Sequence, residues 1–126
     1  MNVQSIKQTK LSKSIADIPI VHALYHLYKI LHGLLQKFPK SQRYSLGSKL
    51  QTELLSLIEA IITAATLSDQ HQKRAQLTIA SAKLDVLRLL IRLAKDCKCL
   101  TNEAYLDLES QLNVIGKMIG GWLKSL

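Results

Sequence analysis

Cysteine is scarce in this chain, and what there is cannot staple it. Cys97 and Cys99 are the two cysteines; on a helix their spacing points them about 200° apart, so they cannot bridge each other, and a reducing cytoplasm is the natural setting. Two prolines and five glycines in 126 residues leave long stretches free of helix breakers. No uncharged run approaches the ~18 residues of a membrane span. The opening MNVQSIKQTKLSKSIADIPI is polar and Lys-spotted, without the apolar stretch of a signal peptide. A cytoplasmic protein that does not enter membranes is expected.

Catalytic patterns are missing as well. The chain has no Gly-rich phosphate loop, no HExxH and no CxxC, and its nine acidic residues are scattered, so neither an enzyme nor a cofactor is expected. His22 and His26 lie four apart on the polar face of a helix with no third ligand nearby in sequence, which reads as a solvated pair rather than a metal site.

What is present is positive charge and leucine. Seventeen Lys/Arg against nine Asp/Glu give +8. Residues 1–50 hold eight basic residues against Asp17 alone, whereas residues 51–126 hold nine against eight acids. Such asymmetry points to an anionic partner: nucleic acid first, a membrane surface or acidic protein second.

Hydrophobic spacing predicts four helices and an all-α fold. Pro19 suits a first turn and Pro39 ends the helix that carries Ile20, Leu24, Leu27, Leu31 and Leu34. Ser41 is a candidate N-cap for a second stripe of Leu46, Leu50, Leu54, Leu57 and Ile61 running to about Leu67. After the turn SDQHQ, a third helix from about Gln70 to Cys97 carries Leu77, Ala80, Leu84, Leu87, Ile91 and Ala94 in heptad spacing. Thr101 or Asn102 caps a fourth, with Tyr105, Leu108, Leu112, Ile115, Ile119 and Trp122 on one face. Short connections make sequential helices neighbours, giving one antiparallel up-down-up-down bundle over residues 17–126. Residues 1–16 lack periodicity and read as a flexible basic arm.

The third helix has more apolar face than one bundle requires. At about 100° per residue its apolar positions, including Val86, Leu89, Leu90, Leu93 and Cys97, cover an arc of roughly 220°. So wide an arc asks for a second partner, most simply another copy of the chain. On the narrow polar remainder, Arg88 and Arg92 can pair locally with Asp85 and Asp96, can meet Glu53 from the second helix, or can bind phosphate. The expectation is a structural and assembly role, with at least one of the two in a salt bridge to Glu53, Asp85 or Asp96. Leu89 and Leu93 are placed on the outer side of the arc, and Trp122 is read as a core or interface aromatic. Gly116 and Gly120, one turn apart, either admit a close helix or make room for Trp122 or another bulky neighbour.

Bundle topology sorts the basic residues. One end gathers Lys37, Lys40, Arg43, Lys95 and Lys98, offset by Asp96, Glu103, Asp107 and Glu109. The other gathers Lys7, Lys10, Lys13, Lys73, Arg74, Lys117 and Lys124 against Asp17 and Asp69 only. Lys73, Arg74, Lys117 and Lys124 are therefore the leading candidates for binding nucleic acid, ahead of Lys37, Lys40 and Arg43.

The segments FPKSQRYSLGSKL, LDVLRLLIRLAKDCKCLT and LNVIGKMIGGWLKSL together resemble the accessory variability determinant (Avd) family of diversity-generating retroelements, within the four-helix-bundle group that includes the rRNA intervening-sequence proteins. The resemblance covers about residues 20–125. It implies a small, basic, non-enzymatic bundle that forms a homopentameric barrel and associates with the retroelement's reverse transcriptase and with RNA or RNA/DNA in mutagenic retrohoming. The rRNA intervening-sequence type of protein, and a structural assembly protein with no nucleic-acid role, are the alternative readings.

Overall fold

The computed structural model describes residue 15 and residues 17–126, and it is helical with no strand among the described residues. Nearly all of the expected basic arm, with Lys7, Lys10 and Lys13, lies outside the described residues. Four long helices form the bundle: α1 (Pro19–Leu35), α2 (Ser48–Thr66), α3 (Gln70–Asp96) and α4 (Asn102–Ser125). Each packs on its sequence neighbours, and α1 closes the ring against α4.

The helix ends follow from local chemistry. Pro19 occupies the first turn of α1, where its missing N–H costs nothing. The Asp69 carboxylate accepts from the Gln72 N–H at 2.9 Å and starts α3. The Thr101 hydroxyl does the same for α4, accepting from the Ala104 N–H at 3.1 Å. Each such cap is worth about 1 kcal/mol.

Ser41 is not a cap. The chain leaves Pro39 through a short turn, Lys40–Gln42, and a π-helical turn, Arg43–Gly47, before α2 becomes regular. Gly47 is buried there. A Cβ on it would lie 3.3 Å from Leu35 Cδ2 and 3.6 Å from Phe38 Cδ2, so the π turn lies flush against the end of α1.

The C-terminus of α3 is a Schellman motif. Lys98 N–H donates to the Lys95 carbonyl at 2.9 Å and Cys99 N–H to the Ala94 carbonyl at 2.8 Å. Lys98 carries the left-handed conformation, φ 62°, where glycine is usual. Cys99, buried, supplies the apolar contact beneath the motif, while Cys97 is exposed. The two thiols are thus separated by a turn past the helix end, not by helical periodicity, and both are free.

The core is apolar throughout, with no buried polar side chain among the described residues. The heptad positions Leu77, Ala80, Leu84, Leu87, Ile91 and Ala94 of α3 are all buried, as are Leu108, Leu112, Ile115 and Ile119 of α4. On α1 the stripe departs from the expected one at its end: Leu34 is half-buried, and Leu35 and Phe38 complete the core.

Candidate functional site

α3 is apolar on two opposite sides. Besides its core stripe it exposes Ile79, Val86, Leu89 and Leu93, with Leu89 67% and the other three 43–46% accessible. At about 100° per residue these four centre about 180° from Leu84. Ala75 and Ala82, also exposed, fill the gaps to give a second heptad ladder along the outside of α3. Asp85, Arg92 and Asp96, all exposed, flank it on one side and Lys83 on the other. Single exposed leucines are ordinary on a protein surface, whereas these side chains form one continuous ladder. Leu89 and Leu93 are where the sequence placed them, and Ile79 belongs with them although the wide arc had not included it.

Arg88 is part of the fold, by a route different from the one expected. Its Nη1 donates to Asn113 Oδ1 at 2.6 Å and its Nη2 to the Leu112 carbonyl at 3.2 Å, tying α3 to α4. Gly116 makes room for it: a Cβ there would stand 2.9 Å from Arg88 Nη2. The expected salt bridge to Glu53, Asp85 or Asp96 is not formed. Glu53 pairs instead with Lys49 one turn earlier on α2, at 2.9 Å, and that is the one salt bridge among the described residues. The physical reason is that Lys49 needs no second helix to reach the carboxylate, while a peptide carbonyl on α4 lies within the span of Arg88. Arg92 stays exposed beside the outer ladder. Asn113 carried no signal in the sequence, because an exposed asparagine in mid-helix gives no hint of its partner. Gly120 has open space around it, so room for Trp122 is not what it provides.

Of the basic residues assigned to the two ends, all but Lys7, Lys10 and Lys13 are described. At one, Lys37 and Lys98 line a common cleft with Leu34, Cys99 and Thr101, and Lys40 is exposed nearby in the chain. Arg43 is half-buried and donates from Nη2 to the Gln36 carbonyl at 2.8 Å. Its Nε–H is enclosed without a partner, an omission that costs roughly 1–3 kcal/mol when nothing fills it.

At the other end, Lys73 and Arg74 are already engaged. Lys73 Nζ donates to the Ala64 carbonyl at 2.8 Å and lies 5.7 Å from the Trp122 ring centroid. Arg74 Nη2 donates to the Leu126 carbonyl at 3.1 Å. Lys73 thus closes the C-terminus of α2, and Arg74 holds the end of α4 against α3. Lys117 and Lys124 are exposed on α4. Trp122 is half-buried and packs against the core.

On α1, His22 and His26 meet edge to face with ring centroids 4.5 Å apart. No group of three or more His, Cys, Asp or Glu side chains that could hold a metal occurs among the described residues. None of the described helices is long and apolar enough to cross a membrane.

A family model described as bAvd-like matches residues 19–126. No curated protein matches the chain.

Proposed function

The chain belongs to the bAvd-like family, and from that membership we propose that it is a non-catalytic accessory protein of a diversity-generating retroelement. In this reading it acts in the cytoplasm as a homopentameric barrel that binds the reverse transcriptase and RNA, or an RNA/DNA hybrid, during mutagenic cDNA synthesis. The outer ladder of α3 is the observation that carries assembly: four large apolar side chains in a line are left 43–67% accessible by the described residues, and a neighbouring copy covers them. Net charge of +8, repeated around a ring, supports an anionic partner.

Lys117 and Lys124, exposed at the end where acids are few, are the side chains free to meet phosphates in every copy; Lys73 and Arg74 add positive potential there while serving the fold. Co-purification with a retroelement reverse transcriptase tests the partner. RNA affinity measured against salt tests the contacts: Lys117→Gln with Lys124→Gln lowers affinity across sequences and flattens the salt slope by about 2, one for each phosphate contact removed. RNA binding indifferent to salt, or absent, would leave the protein as an assembly scaffold only. Replacing Lys37, Lys40 and Arg43 together should weaken binding of long RNA less.

A further inference from the structure

Beside the π turn a cleft of about 220 Å³ opens between α1 and the start of α2, with His32, Gln36, Arg43, Tyr44, Ser48 and Gln51 in its lining. Its polar wall is organised in advance. Gln51 Nε2 donates to Tyr28 Oη at 2.6 Å, and the Tyr28 ring stacks on His32, centroids 6.4 Å apart and 15° from parallel. The bond from Nη2 to the Gln36 carbonyl fixes the Arg43 guanidinium beside the cleft; its Nε–H is enclosed, with no acceptor among the described residues.

Tyr44, at the rim, is 72% accessible, so the fold makes little use of its ring. Along the chain segment that lines the cleft, charge is one-sided. Residues 18–52 contain Lys29, Lys37, Lys40, Arg43 and Lys49 and no carboxylate, and the first acid beyond them, Glu53, is occupied by Lys49. A fixed guanidinium in a chain segment free of carboxylates suits an anion that presents several acceptor oxygens, and the planar fork of arginine matches phosphate through its Nη groups. An exposed aromatic ring next to it offers a flat surface for a base.

We propose that this cleft is a phosphate site for a nucleotide unit, with the phosphate on Arg43 and the base against Tyr44. The phosphate is either the terminal monoester of a free nucleotide or the diester of an RNA chain. The site is distinct from the Lys117 and Lys124 contacts and holds whether or not the RNA role proposed above is correct, since it can be read with a mononucleotide alone.

The test is proton–nitrogen NMR of the arginine Nε–H groups, of which the full chain has four, during titration at constant ionic strength with inorganic phosphate, AMP and adenosine. The Arg43 resonance should move saturably with phosphate and AMP and stay still with adenosine, while those of Arg74, Arg88 and Arg92 barely change. AMP should bind more tightly than phosphate, and Tyr44→Ala, at an exposed position that does not burden folding, should remove that advantage and keep phosphate binding. Arg43→Lys, which preserves charge and loses the fork, should weaken AMP by about tenfold or more. A dinucleotide with one internal phosphate and no terminal one identifies the source: a shift of Arg43 equal to that with AMP assigns the chain diester, and no shift assigns the monoester. If Arg43 does not respond to phosphate or AMP, or if all four arginines move together, the proposal is overturned.

Discussion

Replacing Leu89 by Asp separates assembly from folding, because the two states make opposite demands on that position. Full burial of a leucine side chain is worth about 1.5–3 kcal/mol. Leu89 is 67% accessible in the isolated chain, so about 1–2 kcal/mol remains to be gained when a neighbouring copy covers it. An aspartate forfeits that gain and must in addition be desolvated, at a cost of several kcal/mol unless it finds a cation. A loss of roughly 3 kcal/mol or more at each contact weakens it by over a hundredfold. In the proposed ring every contact carries the change, so the whole assembly should fail together.

The isolated bundle loses far less. Leucine to aspartate costs about 0.5 kcal/mol in helix propensity. The new carboxylate repels Asp85 four residues earlier and attracts Arg92 three residues later, two effects of about 0.2–0.5 kcal/mol that oppose each other. Light scattering and circular dichroism on the same sample are the assay. The unaltered protein should have about five times the 14.1 kDa of one chain, and the variant should fall to a single chain with its helical signal intact. A variant that keeps the full mass would remove the outer face of α3 from the interface. A variant that loses its helices would contradict the exposure of Leu89 in the fold.

Gly120→Ala, with open space around the new methyl group, should stabilise the bundle by about 0.5–1 kcal/mol in urea unfolding. Gly116→Ala should gain about 1–2 kcal/mol less than that, because it displaces Arg88 from Asn113 and Leu112, and the difference should vanish in an Arg88→Ala background. Lys98→Gly should raise stability by about 1 kcal/mol, since it relieves a left-handed non-glycine residue at the end of α3; Lys98→Ala should not. Burial, and next the neighbouring Cys97, push the Cys99 thiol above its ordinary pKa. A thiol reagent should therefore modify one cysteine, Cys97, in the folded protein and the second only after unfolding. The stability gained by keeping Cys99 neutral is complete below the thiol's ordinary pKa and declines as pH rises through the raised value, so Cys99→Ser should flatten the alkaline limb of a stability profile.

The sequence by itself determined the bundle. Heptad spacing named the buried face of α3 residue by residue and that of α4 except at its ends, where Tyr105 and Trp122 are half-buried, because a side chain's direction on a helix follows from its position in the chain. Thr101 was legible as a cap because the exposed N–H groups of a first turn demand an oxygen. The excess apolar arc of α3 was likewise legible, since too wide a stripe is visible on a helical wheel before any fold is known.

Partners across helices were decided only in three dimensions. Arg88 had carboxylates at plausible spacings on its own helix, yet its guanidinium crosses to a peptide carbonyl and an asparagine that sequence does not distinguish from any others. Glu53, for its part, is neutralised within its own turn. The π turn at Arg43–Gly47 was equally hidden, because it arises where α2 must begin flush against Leu35 and Phe38, and no residue pattern separates it from an ordinary first turn. It is this packing that sets Arg43 beside the cleft and leaves Tyr44 outside. Periodicity is a property of one helix and can be read along the chain. The choice between competing hydrogen-bond acceptors depends on which helix lies within reach, and that distance exists only after the four have packed.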